Sequence, residues 1–128
     1  MNLSPGRQDL EQVAASTLER TVVAAHALAE LAVRDERYDQ AAALAAASYA
    51  TEASMYLPLP EAVPDHGDSG ADLTLVDRLS DLADALDELG QRSSDLRQIR
   101  DRHMAALHTR DAAIALRNAL PVEQGAAG

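Results

Sequence analysis

Hydrophobic residues recur every three or four positions in three segments of the chain, which is the period of an amphipathic helix, and a fourth segment is rich in alanine, the residue with the highest helix propensity. The pattern predicts helices over about residues 8–33, 38–57, 70–89 and 94–119. Short polar connections follow the first and the third helix, so we expect each pair to fold back as an antiparallel hairpin. The predicted fold is all-α, a four-helix bundle made of two antiparallel helical hairpins in a single domain over residues 1–128.

A proline-rich crossover linker over residues 57–70 separates the two predicted hairpins. Its prolines favour extended backbone, which rises about 3.1 Å per residue and gives a reach of roughly 40 Å. A linker of that length can cross a bundle, so either relative direction of the hairpins is possible, as is domain swapping. Residues 121–128 are predicted to form a disordered tail.

Helix 3 carries the clearest amphipathic pattern. Its leucines are spaced four, three, four and three residues apart: Leu75, Leu79, Leu82, Leu86 and Leu89. We expect these leucines to form one buried line. The spacing Ser69-x-x-Asp72 is typical of a capping box at the start of a helix, and Gly90 is a natural residue to end one.

The buried faces of helices 1 and 4 are predicted from the same period. On helix 1 the predicted face is Leu10, Val13, Ala14, Thr17, Thr21, Ala24, Ala25, Leu28, Leu31 and Ala32. On helix 4 it is Leu96, Ile99, Leu107 and Ile114. His103 and Arg110 project from this same face of helix 4. Because a buried unpaired guanidinium is very unfavourable, Arg110 is expected either to meet an acid at the rim of the bundle or to join His103 in a polar pocket or dimer seam.

All three tyrosines lie within the predicted bounds of helix 2. At 100° per residue, their side chains fall within about 20° of one another around the helix axis. They are Tyr38, Tyr49 and Tyr56, with Glu52 between the last two. Tyrosine is enriched at binding hot spots, which makes this line a candidate protein interface. The alternative is that the rings pack over the ends of the bundle with their hydroxyls in water.

Composition limits the possible functions. There are 27 alanines among 128 residues and no Phe or Trp, so the core is thin and a homodimer would add buried area. The absence of cysteine excludes disulfides and thiol chemistry. A net charge of −10 argues against nucleic-acid or membrane binding. With no signal-peptide pattern and no apolar run long enough to span a bilayer, a cytoplasmic protein is expected.

Helix 3 presents an acidic face formed by Asp77, Asp81, Asp84 and Glu88. Residues 91–119 carry six Arg against three Asp, so the two segments are expected to face each other. The carboxylates share a face that could in principle hold a divalent cation, but histidines at ligand spacing are lacking. A solvated face, partly paired with arginines of helix 4, is the favoured interpretation, and no metal or cofactor is expected.

One short motif on helix 4 resembles that of a known family. The run Arg102-His103-Met104-Ala105-Ala106-Leu107-His108 is similar to the motif of HEPN ribonucleases, in which an Arg and a polar residue are followed by three to five residues and a His. Members of that family are small helical proteins that typically dimerise, and the Arg and His of two subunits meet in a cleft. The resemblance implies metal-independent RNA cleavage, with Arg102 stabilising phosphate charge, His103 as the polar residue and His108 in acid–base chemistry. Arg97 and His103 have the same spacing.

The sequence therefore favours a non-enzymatic helical interaction or regulatory module, homodimeric or bound to another protein, acting through helix 2 or the acidic face. An HEPN-like ribonuclease or toxin is the alternative. A third possibility is a small-molecule sensor with its pocket between helices, which the sequence does not separate from the interaction module and whose ligand it does not identify.

Overall fold

The computed structural model describes residues 7–58 and 71–121, with side chains from Leu10 onward in the first range. Four helices account for most of these residues: α1 (Arg7–Ala32), α2 (Gln40–Ser54), α3 (Leu73–Gln91) and α4 (Leu96–Ala119). They pack as two hairpins, so the predicted all-α four-helix bundle is confirmed.

Helix α4 is the central element, because it packs closely on both α2 and α3, whereas α1 packs mainly on α2. The backbone N–H of Asp39, just before α2, donates a hydrogen bond to the carbonyl of Ala119, the last residue of α4, at 3.0 Å. These two helices are therefore antiparallel, and since each hairpin is antiparallel as well, α2 and α3 run in the same direction. The chain between residues 58 and 71 thus joins opposite ends of the bundle, which decides the direction that the sequence left open.

Aspartates begin three of the helices. The side chains of Asp39, Asp72 and Asp95 accept hydrogen bonds from the backbone N–H groups of Ala42, Leu75 and Arg97 at 3.0, 3.0 and 2.9 Å. Each satisfies a donor that the first turn leaves unpaired. The first residues of α2 and α4 thus lie two positions after the approximate starts at residues 38 and 94 that the sequence suggests. Asp72 is itself the N-cap of α3, and Ser69 lies outside the described residues.

Gly90 does not end α3, so the prediction that the helix would stop at this glycine was wrong. The helix continues to Gln91, and Gly90 is buried against α4. A Cβ atom at position 90 would lie 3.3 Å from the Cβ of Arg102 and 3.6 Å from the carbonyl oxygen of Ile99. The glycine therefore allows the backbones of α3 and α4 to come close together.

Alanine is the most frequent buried residue in the part of the chain that the structure describes. Every buried residue of α2 is an alanine, namely Ala43, Ala46, Ala47, Ala50 and Ala53. On α4 the buried apolar residues are Ala105, Ala106, Ala112, Ala113, Ala115, Leu116 and Ala119. The predicted leucine line of α3 is buried at Leu75, Leu79, Leu82 and Leu86, with Leu89 half-buried. Small side chains let α4 approach both of its neighbours closely.

The predicted buried face of helix 4 was wrong. Leu96, Leu107 and Ile114 are 82%, 42% and 56% exposed, and it is the alanine side that faces the bundle. Because α4 lies between two helices, its contact surface is wide, and the alanines on that side permit the closest packing. Large side chains contribute most to a hydrophobicity pattern. The pattern therefore predicted that the aliphatic side of helix 4, and not its alanine side, would be buried.

The buried face of α1 is rotated relative to the prediction. Val13 and Leu31 are 53% and 37% exposed, while Leu18, which the prediction omitted, is fully buried. The other residues of the predicted face that turn inward are mostly alanine and threonine. Leu18 therefore supplies much of the large aliphatic surface that α1 gives to the core.

A buried hydroxyl on α4 gives a test of this packing. Thr109 is fully buried and its Oγ1 has no hydrogen-bond partner, an arrangement that is unfavourable by about 1–3 kcal/mol. Thr109→Val should raise the free energy of unfolding in urea by about 1 kcal/mol. Thr21→Val is the matched control, because Thr21 is equally buried but its hydroxyl donates to the Thr17 carbonyl at 2.8 Å. If the two substitutions changed the free energy of unfolding equally, the Thr109 hydroxyl would have a hydrogen-bond partner and this description of the packing would be wrong.

Candidate functional site

An ion-pair network joins α3 to α4 at the rim of the bundle. Nη2 of Arg110 donates to Oδ1 of Asp84 at 2.9 Å and to Oδ2 of Asp87 at 3.2 Å. Nδ1 of His103 lies 3.4 Å from Oδ1 of Asp87. The hydrogen bond to Asp84 is the main cause that raises the pKa of Arg110 above its usual value. His103 and Arg110 thus share one carboxylate, Asp87, which the sequence analysis did not single out.

The acidic face of α3 meets α4 only in part. Asp84 binds Arg110, and Glu88 pairs with Arg92 of its own chain segment at 3.0 Å. Asp77 and Asp81 are exposed. Among the described residues, no group of three or more His, Asp or Glu side chains is placed to hold a metal ion.

Arg102 lies in a buried ion pair with Glu11 of α1. Their side chains are 8% and 12% exposed, and Nη2 of Arg102 contacts Oε2 of Glu11. Nη1 donates to the carbonyl of Gln98 at 3.4 Å, and Nε is buried without a partner. The sequence pattern did not identify Glu11 as an inward-facing residue. Glu11 lies three and seven residues before the buried Ala14 and Leu18, and this spacing places it on the same face of α1. While this pair holds, the guanidinium is not accessible to a phosphate.

His108 packs against the end of α2. Its ring stacks on Tyr56, with the centroids 6.0 Å apart and the planes inclined by 18°. Nδ1 of His108 is buried without a hydrogen-bond partner. Arg102 therefore contacts α1 and α3 while His108 contacts the segment after α2, and the structure does not bring the two motif residues into one site. His103, the third residue of the motif, instead faces Asp87.

The three tyrosines do not form one line on α2, contrary to the prediction. Tyr38 precedes the N-cap Asp39, is half-buried against the core, and has the Arg37 guanidinium 5.8 Å from its ring centroid. Tyr56 lies in the turn after Ser54. Tyr49 alone is on α2, at 38% exposure, and the exposed Glu52 lies one turn away. Since α2 is shorter than expected, the three tyrosines lie before, on and after the helix, and their role in an interface stays a prediction.

A small open pocket lies between α1 and the end of α2, with a volume of about 180 Å³. Its walls are mainly the apolar side chains of Leu18, Val22, Val23 and Pro58. Glu19 and Ser54 line it as well, but this pair of side chains does not resemble a nucleophile with its base.

The outer face of α4 is formed by three exposed aliphatic side chains, Leu96, Leu107 and Ile114. At 100° per residue the three side chains lie within about 20° of one another. They span about 27 Å of helix. Arg100 and Asp111 border this face on the side toward α2, and neither forms an ion pair or hydrogen bond within the described ranges.

No family model matches the chain, and neither a curated protein nor a solved structure is similar enough to count as a match. Within the ranges that the structure describes, no helix combines the length and the apolar character needed to cross a membrane.

The Glu11–Arg102 pair can be tested by breaking it. Glu11→Leu should lower the free energy of unfolding by about 3–5 kcal/mol, because it leaves a buried guanidinium without a counter-charge. The double substitution Glu11→Leu with Arg102→Met should recover most of that loss.

The control is Glu88→Gln, which removes an exposed pair with Arg92 and should change the free energy of unfolding by less than about 1 kcal/mol. Urea unfolding of the four proteins gives the comparison. A Glu11→Leu variant as stable as Glu88→Gln would show that Arg102 is not held in a buried pair.

Proposed function

We propose that this protein is a non-enzymatic helical interaction module that binds a protein partner through the outer face of α4. The observation that carries the proposal is the exposure of Leu96, Leu107 and Ile114 on one side of a single helix. The partner in this proposal presents a helix with an apolar line of its own, because a straight 27 Å line of anchors matches helix-to-helix docking.

The exposed aliphatic side chains of α4 are unusual in their arrangement rather than in their number. Single exposed aliphatic residues are common on protein surfaces. Here α4 turns its alanines and Leu116 inward but leaves Leu96, Leu107 and Ile114 exposed, although burial of each large side chain would contribute about 1.5–3 kcal/mol. A partner that covers this face would recover that contribution, which is the role of anchor residues in an interface.

The surfaces expected from the sequence are less suited to a partner. The tyrosines are separated, and Tyr38 and Tyr56 are half-buried within their own chain. The acidic face offers Asp77 and Asp81 with no adjoining exposed leucine or isoleucine on α3. An interface generally needs a desolvated apolar centre with charges at its rim, and the outer face of α4 has that composition.

The ribonuclease alternative receives no support from the geometry. Its arginine would have to contact a phosphate, whereas Arg102 is 6% exposed and paired with Glu11. Its histidine would have to exchange protons with substrate, whereas His108 stacks on Tyr56. The two side chains contact different helices, so we do not carry the resemblance further.

The test is site-specific photo-crosslinking in the native cells. A photoreactive residue replaces Asn118, an exposed position next to the outer face of α4, in the wild-type background, in Ile114→Glu and in Val23→Glu. Val23 is the matched control, since it is also β-branched, lies within a helix and is 68% exposed.

We expect protein adducts with the wild type and Val23→Glu, and at least about a tenfold loss with Ile114→Glu, equivalent to about 1.4 kcal/mol of binding free energy. Equal adducts in Ile114→Glu, or no protein adduct in any background, would overturn the proposed function.

A further inference from the structure

We infer that the partner is a second copy of this chain, with two α4 helices packed antiparallel so that Leu96 meets Ile114 and Arg100 meets Asp111 of the second copy. The inference rests on the proposed function and identifies its partner. Three features of α4 carry the inference. The apolar residues are spaced symmetrically along the helix, Arg100 and Asp111 have no partner among the described residues, and the charge of Arg110 on the other edge is matched within its own chain.

The apolar and charged residues share one centre along the helix. In an antiparallel pair related by a twofold axis, residues equally far from the axis on either side face each other. Leu96 and Ile114 are centred on position 105, and Arg100 and Asp111 are centred between positions 105 and 106. One axis at that level therefore pairs aliphatic with aliphatic and cation with anion. Leu107 then lies opposite positions 103 and 104 of the second copy, where His103 is exposed and Met104 is half-buried.

The two charges also lie on the same edge. Arg100 and Asp111 are about 20° apart around α4, both toward α2. A twofold axis perpendicular to antiparallel helices keeps like edges together, so the α2-side edges of the two copies meet. Within one chain the two residues are eleven positions apart, about 16 Å along the helix, and cannot pair with each other. Across the axis they oppose each other, and symmetry produces the contact twice.

The other edge of the outer face does not oppose this pairing. His103 and Arg110 lie there, and the charge of Arg110 is matched by Asp84 and Asp87 of its own chain. Two copies of this edge therefore bring no unmatched charge from Arg110 into the contact, and Arg117, which lies on the same side of α4, is beyond the Leu96–Ile114 span. With opposite charges on one edge and matched charges on the other, the face is complementary to itself.

The first experiment measures association of the purified full-length chain by sedimentation equilibrium at low ionic strength, where exposed charges are least screened. A contact along one helix is at the small end of protein interfaces, so a reversible dimer is expected. Ile114→Glu should raise the dissociation constant at least about tenfold, whereas Val23→Glu should leave it unchanged. A monomer at all concentrations, or equal effects of the two substitutions, would overturn the inference.

The second experiment tests the register by exchanging charges. Arg100→Glu and Asp111→Arg should each weaken the dimer about tenfold, because each replaces two attractive contacts by two repulsive ones. The double variant should return to within about threefold of the wild type, since both pairs are restored with reversed polarity. Circular dichroism of each variant checks that the helices are intact.

A double variant as weak as either single variant would overturn the antiparallel pairing. These outcomes are separate from those of the proposed function: photo-crosslinks in cells that depend on Ile114, together with a purified chain that stays monomeric, would reject the second copy as partner while the interaction module stood.

Discussion

The close packing of the alanine side of α4 between α2 and α3 is the constraint from which the rest of the structure follows. Alanine contributes little hydrophobic area per residue, but it allows helix backbones to approach closely and gain dispersion contacts along their length. The five buried alanines of α2 share one core cluster with alanines of this side of α4, and Gly90 approaches α4 from α3. Once α4 is fixed this way, its Leu96, Leu107 and Ile114 point outward.

The same constraint places the charged groups. Arg102 enters the bundle on the inner side of α4, where the close approach at Gly90 leaves its guanidinium directed to Glu11 of α1. Arg110 lies farther round the helix and reaches Asp84 and Asp87 at the surface. One helix therefore carries a buried ion pair that joins it to α1 and an exposed network that joins it to α3. Of its charged residues, Arg100 and Asp111 border the aliphatic face and keep no partner within the described residues.

The parts of the fold that the sequence predicted correctly are those with strong contrast between side chains. Leucines spaced four and three apart on α3 alternate with aspartates, and four of the five leucines are buried. On α4 the contrast was misleading, because the buried residues are mainly alanines and three of the four predicted large residues, Leu96, Leu107 and Ile114, are exposed. The period correctly predicted a helix at α4. When both sides of a helix are apolar, however, the period does not indicate which side faces the bundle.

The site was harder to predict because it depends on tertiary contacts. The tyrosine line required a helix from 38 to 57, whereas the Asp39 cap and the turn after Ser54 shorten it. The pairing of Arg102 with Glu11 joins residues far apart in sequence, and no local pattern specifies it. By contrast, the expectation that helices 3 and 4 would face each other followed from their opposite charges, and Arg110 contacts Asp84 as that charge pattern suggests.

The central claim is that α4 is buried on its alanine side and exposed on its aliphatic side, and thiol labelling tests it directly because the chain has no cysteine of its own. Ala113→Cys and Ile114→Cys place a single thiol at adjacent positions that are 2% and 56% exposed. Labelling rates are compared in native buffer at high dilution, below self-association. The account predicts rapid labelling at position 114 and strong protection at position 113. Protection at 114 with rapid labelling at 113 would contradict it.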